Sequence, residues 1–166
     1  MTWKKGIGAA AAVAAIVGAT VSTQAQTKVT HLQKEGSPLA SAVWAGDTLY
    51  VSGQIASPVT PADAAKGTPA VYGDTQAQAN SEFLKIQAIL KEQGLSMGDV
   101  VNMHVYMAGD PAKGGKLDFA GLQAAYTQYF GTAEQPNKPT RAAMQVAALA
   151  APWALVEIEV IAVRSK

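Results

Sequence analysis

Apolar and polar positions change rhythm several times along the chain. Between Thr27 and Gln33, Val29 and His31 alternate with polar neighbours, which predicts a strand. Ser41 to Trp44 and Thr48 to Ser52 read as two strands around Ala45-Gly46-Asp47, because a Gly-Asp pair between apolar runs is a hairpin signal. From Ala56 to Gly73, Pro58, Pro61, Pro69, Gly67 and Gly73 interrupt helical and strand hydrogen bonding alike, predicting a long surface loop. Asp74 then caps a run in which Ala79, Phe83, Ile86 and Leu90 recur every three or four residues until Gly94, the pattern of an amphipathic helix. Asp99 to Ala108 returns to a period of two, with Val101, Met103, Val105 and Met107 on one face and Asn102, His104 and Tyr106 on the other. A second helix is expected from the spacing of Phe119, Leu122, Tyr126, Tyr129 and Phe130, ending at Gly131 ahead of Pro136 and Pro139. Arg141 to Leu149 and Ala154 to Val163 complete the series as two strands separated by Ala150-Ala151-Pro152.

Three strands, a helix, a strand, a helix and two strands predict an α+β fold, a mixed sheet with both helices packed on one face. In the last strand Val156, Ile158, Val160 and Ala162 form an unbroken apolar face to meet the helices. The opposite face holds Leu155, Glu157, Glu159, Ile161 and Val163. Carboxylates set among aliphatic side chains imply that this face is covered too, and a second subunit is the cover that remains.

The first residues follow a different pattern. Lys4 and Lys5 precede a charge-free run from Gly6 to Val21, and Ser22-Thr23-Gln24-Ala25 places small residues three and one before a cut after Ala25. A basic start, a short apolar middle and such a cut predict a secretory signal peptide over residues 1–25 and one domain over 26–166, periplasmic or secreted. The apolar run falls short of the ~20 residues needed to span a bilayer, so no lasting membrane association is expected. Removing residues 1–25 takes two lysines and no acid, leaving 11 basic against 12 acidic side chains in 141 residues. That near-neutral balance argues against a nucleic-acid partner. At 49% hydrophobic and 15% charged the whole chain has a globular composition, and without cysteine it has no disulfide, thiolate metal site or cysteine nucleophile.

Gly109 to Lys116 lies between a strand and a helix but fails the phosphate-loop spacing, since Gly115 takes the lysine position and Leu117 follows Lys116. His31 and His104 have no second histidine at ligand spacing, and no metal site is proposed. Ser52 lacks the glycine-flanked turn of a hydrolase nucleophile. Arg141 stands apart, as one of two arginines and the opening residue of a strand built mostly of Ala, Met and Val. Its planar fork calls for a carboxylate, from protein or ligand. If its strand pairs with the last one as a hairpin, Glu157 or Glu159 shares a site with it, and a structural ion pair is the plainer reading of the residues alone.

Four blocks together resemble the RidA/YjgF family of reactive-imine deaminases over roughly Thr27 to Arg164: Gly46 to Ile55, Gly73-Asp74 with Gln78, Pro139-Thr140-Arg141, and Glu157 to Ala162. The resemblance implies a chorismate-mutase-like fold and a homotrimer with ligand clefts between subunits. It also implies that Arg141 binds a substrate carboxylate, that Glu157 orients the attacking water, and that Ser52 and Gly53 line the same cleft. The implied reaction is cofactor-free hydrolysis of a 2-imino or enamine acid to a 2-oxo acid and ammonia. Where members often carry Tyr, Cys and Asn, this chain has Leu39 or a neighbour, Ala143 and Gln123, and the resemblance implies that Gln123 is among the substrate-binding residues. These differences alter the pocket wall, not its charged centre, so an altered substrate side chain is expected. The alternative is a non-enzymatic trimer that binds small carboxylates or acts as a holdase.

Overall fold

The structure is a computed structural model that describes residues 27–165, so the expected leader over residues 1–25 lies outside the described residues. Six strands form one mixed sheet: β1 (Val29–Leu32), β2 (Ala42–Ala45), β3 (Thr48–Gln54), β4 (Val100–Met107), β5 (Thr140–Gln145) and β6 (Val156–Val163). Their order in space is β1-β2-β3-β6-β4-β5, antiparallel throughout except for the parallel β4–β5 pair. The two helices, α1 (Thr75–Glu92) and α2 (Phe119–Tyr126), pack against each other and cover one face, as the hydrophobic pattern predicts.

The β2–β3 hairpin turns at Gly46, whose φ of +63° suits glycine. The Asp74 side chain accepts the Ala77 N–H at 2.9 Å to open α1. At its other end Gly94 adopts φ +72°, letting the Leu95 N–H reach back to the Leu90 carbonyl at 2.8 Å. The core then assembles from Phe83, Ile86 and Leu90 of α1, Leu122 and Ala125 of α2, and Val156, Ile158, Val160 and Ala162 beneath them. Burial alternates strictly along β6, which confirms the predicted division of its two faces.

Several details differ from the pattern-based expectation. Arg141's strand does not pair with the last one, because β4 lies between β5 and β6. Leu149 is not part of β5, which ends at Gln145 where its partner β4 runs out at Met107. In β4 a register shift between Val100 and Asn102 turns Val101 outward and buries Val100 in its place. Regular α2 stops at Tyr126; from Gln128 the amides switch to carbonyls three residues back and form a tightened turn through Tyr129. The proline-rich loop carries two bridges, Thr60 with Val71 and Asp63 with Thr68. Its end is tied down: Gln78 Nε2 donates to the carbonyls of Gly73 and Trp153, both at 3.3 Å, while its Oε1 accepts the Leu155 N–H at 2.9 Å. Tyr72 stacks on Trp153 alongside, with the rings 7° from parallel.

Candidate functional site: an arginine at the sheet edge and a glutamate over a bulge

The parallel register sets Arg141 beside Met103, whose side chain is buried under the helices, so the guanidinium leaves the sheet on the helix side. There it meets α2. Its Cζ lies 4.3 Å from the Tyr126 ring centroid and 5.6 Å from that of Phe119, and Nη2 donates to Gln123 Oε1 at 3.0 Å. Nη1 is buried without a hydrogen-bond partner. Among the described residues no carboxylate lies within 4.0 Å of Arg141, so the structural ion pair read from the sequence is not formed. The guanidinium is thus backed by two rings and only half satisfied, with donor capacity left over on Nη1. Burial raises the pKa of the Tyr126 phenol, with the Arg141 charge acting the other way.

Glu157 belongs to the other face. In β3 a bulge falls between Val51, opposite Val160, and Gln54, opposite Ile158, so Ser52 and Gly53 together face the single residue Glu159. The Glu157 carboxyl lies against Gly53, in the space a β-carbon there would fill. Ser52 Oγ donates to the Ala40 carbonyl at 2.7 Å, which fixes the start of the bulge. The expected site residues therefore fall into two groups. Arg141 and Gln123 come together on the helix side, Ser52, Gly53 and Glu157 on the open side, and the register places the two groups on opposite faces of one sheet.

Neighbouring side chains elaborate the open face. His104 Nδ1 lies 2.9 Å from Glu159 Oε1, and the Tyr106 hydroxyl donates to the same oxygen at 3.2 Å. Desolvation raises the Tyr106 pKa, with the charges of Glu159 and Glu157 adding to it. Ala143, two residues beyond Arg141, packs against the core, whereas Leu39 is 71% exposed ahead of β2. A cavity of about 720 Å³ lies elsewhere: it runs between α1 and the turn after α2 beside Leu84, Lys91, Met97, Tyr129 and Gln135.

One residue of this region escaped the sequence reading. Glu82 of α1 is wholly buried with no hydrogen-bond partner on either carboxyl oxygen, and its pKa is pushed up to about 10. Burial is the main cause and the Glu157 charge the next, while Lys85 and the Ala56 amide act against them. A usable signal was present, since Gln78, Glu82 and Ile86 continue the stripe of Ala79, Phe83 and Leu90 at helical spacing.

A six-stranded mixed sheet with both helices on one face and a half-satisfied arginine on its edge strand defines a small α+β class of fold. Comparison with known proteins narrows it. The family model described as Endoribonuclease L-PSP matches residues 29–164, and the chain belongs to this family, the RidA/YjgF proteins. A RutC family protein of Haemophilus influenzae is 35% identical over 141 residues, covering 83% of this chain and 98% of that protein. The protein of Salmonella typhimurium named 2-iminobutanoate/2-iminopropanoate deaminase is 35% identical over 127 residues, 76% of this chain and 88% of its own. The crystal structure of Escherichia coli TdcF with bound serine superposes with a TM-score of 0.59 at 35% identity, covering 78% of this chain and 90% of that one.

Proposed function

We propose that the protein hydrolyses reactive 2-imino acids, and the enamines that tautomerise to them, to 2-oxo acids and ammonia. The observation that carries this reading is Arg141, whose Nη2 is held by Gln123 and whose buried Nη1 has no partner, an arrangement that a substrate carboxylate completes. The name of the Salmonella relative and the serine bound to TdcF support a small carboxylate ligand and deaminase chemistry. The endoribonuclease of the family description is the reading that the near-neutral charge speaks against.

In this mechanism Arg141 anchors the carboxylate and Glu157 accepts a proton from water as the water oxygen bonds to the imine carbon. The C=N electron pair moves to nitrogen, which takes up a proton from solvent. Glu157 then returns its proton to that nitrogen, the C–N bond breaks as the hydroxyl oxygen forms C=O and releases its proton to solvent, and ammonia leaves the 2-oxo acid. Positioning and general acid/base assistance suffice for so electrophilic a carbon, and the residues named require no cofactor.

Arg141 and Glu157 of one chain lie on opposite sheet faces, so the site closes between copies. Arg141 and Gln123 of one subunit face Ser52, Gly53 and Glu157 of the next in a homotrimer. The aliphatic and carboxylate rows of the open face support this cover, as does the position of β5 at the sheet edge. The leader pattern over residues 1–25 makes the mature domain an exported one. A coupled assay of 2-iminopropanoate and 2-iminobutanoate hydrolysis on the mature protein tests the activity: acceleration over the spontaneous reaction is expected. Pyruvate or 2-oxobutanoate binding without any acceleration would leave a binding protein in its place.

A further inference from the structure

Helix α1 holds the end of β3 at several points. Lys85 Nζ donates to the Ile55 carbonyl at 2.6 Å, and the Ser57 N–H donates to Ser81 Oγ at 2.9 Å. Between them Ala56 is buried, with its amide directed toward Glu82. The Glu82 side chain is fully enclosed and neither of its oxygens is hydrogen-bonded. This same stretch begins at the bulge that carries Gly53, against which the Glu157 carboxyl rests. The Glu82 carboxyl thus lies beneath the strand end whose other side supports Glu157.

The charged groups acting on Glu82 are Glu157 from β6 and Lys85 from its own helix, and the strand end contributes only the Ala56 amide. Lys85 gives its ammonium to Ile55 and forms no ion pair with Glu82 within 4.0 Å. An ionised Glu82 would be a buried charge faced by the Ala56 amide alone, with no ion-pair partner, so the acid stays protonated at neutral pH.

We propose that Glu82 is a positioning residue for Glu157, holding a neutral carboxyl behind the strand end that carries Gly53. In that state no second buried negative charge stands behind Glu157, and Lys85 remains on Ile55. Ionisation sets a like charge near Glu157 and draws Lys85 toward Glu82, which loosens the 55–57 segment and the bulge next to it. The proposal rests on the placement of Glu157 in the site described under the proposed function.

The test follows kcat and KM for 2-iminopropanoate from pH 7.5 to 10.5 in the mature protein and in Glu82→Gln and Glu82→Met, each normalised to its own value at pH 7.5. The wild type should lose kcat about twofold by pH 10 and about fourfold by pH 10.5, with KM, set by Arg141, little changed. Both variants lack the titrating acid and should show no such limb. Superimposable profiles in wild type and variants would overturn the proposal. Carbon-13 NMR of the glutamate carboxyls supplies a readout free of turnover, usable even if a variant does not fold. An inflection at Glu157 coincident with the alkaline titration of Glu82 is expected, and its absence overturns the coupling. A wild type inactive toward every imine at pH 7.5 would remove the deaminase reading, and the NMR arm would still decide whether Glu82 acts on Glu157.

Discussion

Gly53 and Glu157 compete for the same space: the glutamate carboxyl lies where any side chain at position 53 would begin. Gly53→Ala should therefore push the carboxyl off the bulge. The displaced atoms are the end of a flexible side chain, so unfolding should shift by no more than about 1 kcal/mol. A misplacement of about 1 Å can nonetheless cost on the order of 100-fold in turnover. Steady-state kinetics beside thermal unfolding would show a large fall in kcat at nearly constant stability; an unaltered kcat would take Glu157 out of the site.

In the proposed mechanism Arg141 holds the substrate carboxylate before and during reaction, so Arg141→Ala should weaken carboxylate binding by about 2 to 4 kcal/mol. Arg141→Lys should restore little, because an ammonium cannot reproduce the fork that Gln123 orients. Glu157→Gln should instead lower kcat with KM largely preserved. Calorimetry with pyruvate together with turnover assays separates the two patterns. Wild-type kinetics in both Arg141→Ala and Glu157→Gln would dismiss the mechanism.

Light scattering of residues 26–166 should give three times the monomer mass at micromolar concentration. Ile161 lies on the open face between Tyr50 of β3 and Asn102 of β4. Ile161→Lys should dissociate the assembly and abolish turnover with it, since each cleft then lacks half its residues. Activity in a demonstrated monomer would contradict a site built between copies.

Glu82 makes stability depend on pH in a defined direction. Its pKa rises from 4.5 to about 10 on folding, so the native state holds a proton that the unfolded chain releases between those values. The contribution is fully present below pH 4.5 and is lost progressively as pH rises toward 10. Relative to Glu82→Gln, the wild type should lose about 3 kcal/mol of unfolding free energy between pH 4.5 and pH 7, at 1.36 kcal/mol per unit. Urea unfolding at fixed protein concentration measures the difference, and a constant gap across this range would mean that Glu82 is ionised in the fold.

Mass spectrometry of protein recovered from its native cell envelope should find a chain beginning at Gln26. An N-terminus at Met1, or recovery from the cytoplasm alone, would defeat the expectation of export.

Much of the architecture could be read from local rules. Val156, Ile158, Val160 and Ala162 declare their face through strict alternation, and Asp74 and Gly94 mark the ends of α1 through side-chain capping and a positive φ. Strand order could not be read that way. Adjacent β5 and β6 look like a hairpin in sequence, yet β4 separates them, because pairing partners are chosen by packing across the sheet and not by proximity in the chain. That single fact divides the site, since it decides which face Arg141 takes. Val101 failed for a related reason: a bulge is a one-residue shift that no alternating pattern reveals. Glu82 went unread although it keeps the helical spacing of the buried stripe, because a carboxylate beside apolar positions ordinarily sits at a solvated margin and only the packed structure shows it enclosed.

The three hydrogen bonds of Gln78 also make two loops into one mechanical unit. The end of the 56–73 loop and the turn that feeds β6 are clasped by the same side chain, and Tyr72 stacked on Trp153 reinforces the clasp. Neither loop can swing without carrying the other. Displacement caused by a ligand near Gly53, at the root of the first loop, would travel to the root of Glu157 in the second. Trp153, placed on that shared joint, would register the motion as a change in its own fluorescence.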